Sequence, residues 1–358
     1  MNSRLKLIFT LLIVLAIHSP LSVAEEFELT QDLKLEIISQ IAVLLEEKYV
    51  FPDRGKVAAN ELVRRLETGY FDNISDPQIF AFRLTGVLDV ISDLHLWVNY
   101  HSDPIPTDYN HLEPSPSEQK EQAELLRRQN FGFEKVERLG GNLGYIELRE
   151  FQYEAETSEK ILATAMEFLR HTDGLIIDLR RNGGGHPEMV PLFLSYLIPD
   201  KTLVGTLQYR EDNRIAEYWT RSEIQGPRYG TQRPVYVLTS KNTFSAAESL
   251  SYILQTRGRA KLVGERTQGG ANPFNNVRLH DHFMIAVPVA TSIDPITQSN
   301  WLYVGVRPDH EVEADEALTL AHKLILEEQI ASSDDSVARR EKEFVLRQIA
   351  GSAPRDSR

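Results

Sequence analysis

Apolar positions along the first hundred residues recur at the spacing of helices. From Thr30 to Val50 the stripe Leu33, Ile37, Ile41, Leu44 and Leu45 predicts one helix, with Pro52 just beyond its end. A second fits Lys56 to Leu66, and a third fits Pro77 to Ile91, opened by Asp76 as N-cap and Pro77 at the first helical position. Three short helices read as a small N-terminal bundle over residues 25–100, closed by an extended segment from Leu96 to Tyr100. Residues 101–130 carry four prolines and then a charged run, which reads as a linker ending in an exposed helix. Beyond it the texture changes. Strand-like runs at Leu143–Leu148, Leu175–Leu179, Val235–Thr239, Leu262–Val263 and Phe283–Val289 alternate with helical patterns at Ser158–Arg170, Pro187–Leu197, Ala246–Gln255 and Ala314–Glu328. That alternation predicts an α/β domain over 131–330, with helices packed on a sheet. The charged tail, 331–358, reads as a marginal helix followed by disorder.

The N-terminus has a different pattern. Arg4 and Lys6 precede an apolar run from Leu7 to Ile17, and Ser22 and Ala24 stand at the −3 and −1 positions of a cut before Glu25. This is the layout of a secretory signal peptide at 1–24, and the run is shorter than the ~20 residues a membrane span needs. The expectation is an exported chain, periplasmic or secreted, with no stable membrane insertion after cleavage.

Composition narrows the chemistry. The 358 residues carry 39 Lys+Arg against 52 Asp+Glu, a net charge of −13, which offers no global basic field for a nucleic-acid backbone. Zero cysteines exclude disulfides, thiolate metal sites and a cysteine nucleophile. Oxygen and imidazole remain. No histidine spacing or carboxylate cluster points to a metal, the weak exception being His280-Asp281-His282, and no cofactor is expected.

Three stretches could carry chemistry. Leu175 to Gly185 runs from a buried strand into Asn182 and three glycines ahead of a helix, so its N–H groups could hold an oxyanion or a phosphate. It fits neither of the phosphate-loop patterns, and a plain tight turn is the simpler reading. Val235 to Ser249 repeats the strand–turn–helix layout, with Ser245 where the helix begins. A hydroxyl there gains from the helix end, and the Ala246 N–H could share an oxyanion. Ser245 with Glu248 three residues on is equally a capping box. In Ser92-Asp-Leu-His-Leu-Trp97, His95 stands at the junction between the bundle and the next segment, the best placed of ten histidines to act as a base.

Taken together the residues resemble a known family. Glu47-Lys-Tyr-Val-Phe-Pro52, Asn130 to Val136, Asn142-Leu-Gly-Tyr145, Asp178 to Gly185, Thr243 to Glu248, Val263 to Thr267 and Gly305 to Asp309 occur in the order found in tail-specific (C-terminal processing) serine peptidases. The likeness is to the branch of tricorn protease and interphotoreceptor retinoid-binding protein, and it runs from about Leu33 to Leu326. It implies a crotonase-like or ClpP-like α/β core capped by the helical bundle. It further implies Ser245 as nucleophile, His95 as base, and an oxyanion hole of backbone N–H groups from Gly184 or Gly185 and Ala246. Members using a Ser–Lys dyad carry lysine where this chain has Gly270. The tricorn branch carries a glutamate where this chain has Leu302, and a serine where it has Leu94. Asp93 or Glu248 could replace the missing orienting group. Two functions follow as expectations: a peptidase acting on polypeptides through an acyl-enzyme, or a binder of hydrophobic molecules such as fatty acids or retinoids.

Overall fold

The computed structural model describes residues 27–109 and 115–352. The expected signal peptide and the last six residues of the tail lie outside them.

Three helices come first: α1 (Gln31–Lys48), α2 (Pro52–Glu67) and α3 (Pro77–Leu88). The Thr30 hydroxyl caps α1, and Asp76 Oδ1 accepts the N–H groups of Gln78 and Ile79 at 2.8 and 2.9 Å to start α3. Helix α2 begins four residues before the sequence suggested. Pro52 does end the segment of α1, but it does so as the first residue of α2, where its missing N–H and fixed φ cost nothing.

The remaining elements, in chain order, begin with β1 (Trp97–Tyr100), α4 (Pro116–Arg128), β2 (Phe133–Leu139), β3 (Leu143–Leu148), α5 (Ala155–Phe168), β4 (Gly174–Asp178) and α6 (Met189–Leu194). They continue with β5 (Leu203–Tyr209), β6 (Ile215–Trp219), β7 (Val235–Thr239), α7 (Ala246–Thr256), β8 (Lys261–Gly264) and β9 (Phe274–His280). The last are β10 (Phe283–Pro288), β11 (Ala290–Ile293), β12 (His310–Glu311), α8 (Ala317–Ser332) and α9 (Ser336–Ser352). The main sheet has the order β12-β8-β7-β4-β3-β2, parallel throughout except for the edge strand β2. Two smaller antiparallel sheets, β1-β10-β9 and β11-β5-β6, stand beside it. The architecture is mixed α/β, as the alternating pattern predicts. Strands β3, β4 and β7 are buried at every position, with α5, α6 and α7 on one face and α8 on the other. No helix among the described residues is long and apolar enough to cross a membrane.

The N-terminal helices close their core with help from far along the chain. Phe80 and Phe283, both fully buried, meet edge to face at 5.8 Å, and Leu279, Ile285 and Val287 pack beneath the same helices. The sheet β1-β10-β9 is therefore shared, one strand from the segment after the bundle and two from residues 274–288. Any movement of the bundle must carry strands that continue into the α/β region.

The C-terminal segment differs from expectation. The expected helix forms as α9 and is not marginal, since it docks along α8 through Val345, Leu346 and Ile349. Lys342 is buried there, its Nζ 2.8 Å from Asp173 Oδ2. The stretch reads as a charged tail because its apolar positions are few, yet Val345, Leu346 and Ile349 share one face while Val337 and Phe344 stay exposed.

Candidate active site

The geometry begins with two adjacent parallel strands. β4 and β7 pair in parallel with Leu175 opposite Val235 and Asp178 opposite Leu238, so both chains leave the sheet at the same edge. In such sheets, turns at the carboxyl ends of neighbouring strands form the ligand crevice. Here the turns are stitched together. Thr243 Oγ1 donates to Leu179 O at 2.8 Å, Phe244 N–H to Asn182 O at 3.1 Å, and Asn182 Nδ2 reaches across to Leu148 O at 2.9 Å.

Ser245 sits at the start of α7 with φ +54° and ψ −118°, a conformation that costs a non-glycine residue about 1–3 kcal/mol. The fold holds it there through Glu248, whose Oε2 accepts the Ser245 N–H at 2.8 Å. That carboxylate is fully buried and accepts three more bonds: Gly270 N–H at 2.9 Å, Gly269 N–H at 2.7 Å and Thr267 Oγ1 at 2.5 Å. Burial pushes the Glu248 carboxyl up, and the donors act against that rise. Glu248 thus anchors the Ser245 turn to the loop after β8. It is not the group that orients the imidazole, since its bonds run to these donors.

His95 faces the serine. Its Nε2 lies 3.1 Å from Ser245 Oγ, although the residues are 150 positions apart. The ring is 3% exposed, stacked on Phe244 with centroids 4.6 Å apart and flanked by Phe274 at 5.5 Å. Burial pulls its pKa down to about 4, with the nearby Asp93 carboxylate acting the other way. The imidazole is accordingly neutral at pH 7 and able to accept a proton.

Asp93 touches His95 through the backbone. Its Oδ1 accepts the His95 N–H at 3.1 Å, while Oδ2 accepts Tyr49 OH at 2.8 Å and Asn272 Nδ2 at 3.0 Å. The carboxylate therefore ties the end of α1, the His95 loop and the loop before β9 into one unit. Tyr49→Phe should destabilise the protein by ~1.5–3 kcal/mol, the range for a hydrogen bond to a charged group, measured by urea unfolding at pH 7. A shift below ~0.5 kcal/mol would mean that the phenol contributes nothing to this junction.

The glycine turn needs a correction. The Gly184 N–H is taken by Asn182 Oδ1 at 2.9 Å and so is not an oxyanion donor in this arrangement. Gly184 instead lets the two turns close: at φ +106°, a Cβ there would fall 2.7 Å from Ser245 Cβ. The N–H groups of Gly185 and Ala246 have no protein acceptor among the described residues, and both residues line the cavity into which Ser245 opens. Gly185, at φ +126°, also has no room for a side chain, because a Cβ would meet Phe151 O at 2.4 Å.

Gly270 and Leu302 have separate explanations. A Cβ at position 270 would lie 2.1 Å from Phe244 Cε2 and 2.9 Å from His95 Cε1. The two rings fill the volume in which a lysine would start. Leu302, by contrast, packs against the main core and is absent from the cavity wall, so its apolar side chain does not shape that wall. Leu94 is largely exposed.

The cavity beside Ser245 has a volume of about 670 Å³. Its walls are mainly apolar, including Val190, Val204, Leu207, Ile253, Ile293 and Trp301. Asp294 also borders it, but Arg257 neutralises that carboxylate at 2.9 Å. His280 and His282 lie away from this site, at the turn between β9 and β10. Sequence reasoning missed Tyr49, Phe244, Phe274 and Asn272 as parts of the site. Tyr49 and Phe244 do fall inside the motifs that carry the family likeness, whereas Asn272 directly follows the Gly270-Ala271 pair with no signal of its own.

Comparison with known proteins agrees with the fold. The profile of Peptidase family S41 matches residues 142–312. A carboxyl-terminal-processing protease of Synechocystis sp. is 34% identical over 179 residues, 49% of this chain and 39% of that protein. The tricorn protease of Thermoplasma volcanium is 30% identical over 145 residues, 37% of this chain and 12% of its own. The chain thus spans well under half the length of these curated relatives. Among solved structures, mature CPAF superposes with a TM-score of 0.56 at 12% identity, covering 90% of this chain and 98% of that one. The strand–turn–helix units at β4 and β7 both lie inside the 142–312 segment that matches the Peptidase family S41 profile.

Proposed function

We propose that this protein is a serine peptidase that cleaves polypeptides through an acyl-enzyme, with Ser245 as nucleophile and His95 as general base. The observation that carries the reading is the 3.1 Å approach of a buried imidazole to a hydroxyl held in a strained backbone conformation. Ser245 Oγ attacks the carbonyl carbon of the scissile bond while its proton passes to His95 Nε2. The N–H groups of Ala246 and Gly185 face the developing oxyanion, and His95 returns the proton to the leaving amine. The apolar cavity favours substrates with an apolar side chain next to the cut. Processing near polypeptide C-termini belongs to the same reading by likeness to the carboxyl-terminal-processing relatives, and export by the signal-peptide layout of residues 1–24.

A second reading has one observation in its favour. A cavity of this size with apolar walls also suits a fatty acid or retinoid held without hydrolysis. One experiment separates the two. A fluorophosphonate should form an adduct on Ser245, located by mass spectrometry, and leave Ser245→Ala unlabelled. Absence of any adduct, together with micromolar fatty-acid binding, would support the binder and reject the peptidase.

A further inference from the structure

Hydrogen bonding around the imidazole leaves two atoms over. His95 Nδ1 and Asn272 Oδ1 are both buried, and neither has a partner among the described residues. Their characters are complementary. For Nε2 to receive the Ser245 proton, the neutral ring must carry its hydrogen on Nδ1, which makes Nδ1 a donor. Asn272 spends its nitrogen on Asp93 Oδ2 at 3.0 Å, which leaves its carbonyl oxygen as an acceptor without a donor.

The two residues share surroundings. Asp93 holds both, taking the His95 N–H on one oxygen and the Asn272 amide on the other. Two residues before Asn272, the Cβ direction of Gly270 ends 2.9 Å from His95 Cε1, so this loop runs along the ring. Asn272 itself is fully buried. A buried polar pair with one member short of a donor and the other short of an acceptor is costly unless the two meet.

We propose that Asn272 is the positioning residue of this site. Its Oδ1 receives the His95 Nδ1–H through one enclosed water molecule and holds the ring in the tautomer whose Nε2 faces Ser245. This rests on the reading of Ser245 and His95 as nucleophile and base. Asn272 then supplies the third function that neither Leu302 nor Glu248 provides. Proton balance is kept: Ser245 gives its hydrogen to Nε2, Nδ1–H stays on the water that Asn272 holds, and Nε2–H leaves with the departing amine. Asp93 provides negative charge near the transient imidazolium while being held by Tyr49 and Asn272. The other titratable groups around this cluster are Tyr303 beside Tyr49, Arg54 over the Tyr303 ring at 4.5 Å, and Glu248 across Gly270. The faces of the imidazole itself meet uncharged Phe244 and Phe274.

The test uses the full chain. Ring ¹⁵N spectra, with His95 assigned by its loss in His95→Gln, should show a single Nδ1–H tautomer in the wild type. Asn272→Ala should give a tautomer mixture and label with a fluorophosphonate about 10²-fold more slowly, short of the ~10⁴ seen when a carboxylate orienter is lost. Asn272→Asp guards against a simple folding defect. A proton shared with Asp93 would stand where the amide hydrogen stood, so this variant should restore the single tautomer and at least about tenfold of the rate. It should also move the acidic limb of the pH profile upward. An unchanged tautomer and rate in a folded Asn272→Ala would overturn the role of Asn272. A wild type that shows the single tautomer, lost in Asn272→Ala, yet never reacts with the probe would leave the positioning intact and overturn the peptidase reading.

Discussion

Lysine introduced at position 270 is expected to silence Ser245. The likeness to C-terminal processing peptidases implies that Ser–Lys members keep their base at this position, so the substitution looks like a repair. The packing says otherwise. The first side-chain atom would lie 2.1 Å from one ring and 2.9 Å from the other, with His95 nearly sealed from solvent. The ammonium would also enter a space enclosed by aromatic rings, where burial disfavours the charged form. The expected sequence is displacement of Phe244, rotation of His95 away from Ser245, and loss of general-base assistance worth ~10²–10⁴ in rate. Fluorophosphonate labelling of Gly270→Lys should fall by about 10³-fold, with thermal unfolding run alongside to show that the fold survives. If Gly270→Lys labels as fast as wild type, and goes on doing so with His95→Ala added, a lysine base is compatible with this site and the imidazole is not required as the base.

Acidification should produce the other large effect, on reactivity and stability together. Burial holds the His95 pKa at about 4 in the folded chain, against 6.5 for the unperturbed side chain. Between these values the unfolded chain binds a proton that the folded chain does not, so stability rises with pH across that window. The neutral ring's contribution is complete above about pH 6.5 and is lost as pH falls toward 4. A shift of this size corresponds to ~3 kcal/mol at the acid end. Urea unfolding at pH 7 and about pH 4.5 should show wild type losing ~2–3 kcal/mol more than His95→Gln, which has no such proton to take up. Labelling of Ser245 should stay nearly flat from about pH 8 to about 5 and fall as the ring protonates near 4. A limb centred near 6.5 would mean that the imidazole is open to water in solution.

Both predictions turn on a site whose parts were unequally visible beforehand. Ser245, His95, Gly185 and Ala246 could be singled out from residue types, and the structure brings all four to one cavity. Gly184 could not be separated from Gly185 because both are glycines in one turn, and only the Asn182 side chain decides which N–H is spent. Glu248 and Asp93 were interchangeable as orienting groups on the chain. In space the first is consumed by its own loop, and the second meets the histidine through the main chain. Six strands escaped notice: β5, β6, β9 and β11 lie in small sheets with half-exposed faces, and β2 and β12 are the edge strands of the main sheet. Their residues lack the continuous apolar run that marks β4 or β7.

What the residues determined by themselves was local: helices where apolar side chains recur, the start of α3 where Asp76 caps and Pro77 forgoes a backbone donor, and turns where glycine accepts positive φ. Each of these is a free energy settled within a few positions, so it can be read along the chain. The encounter of His95 with Ser245, the enclosure of Asn272 beside Asp93, and the exclusion of a side chain at position 270 were decided by tertiary structure alone. They depend on the parallel register of β4 with β7 and on helices that share a core with strands far along the chain, and contacts of that kind leave no periodicity behind.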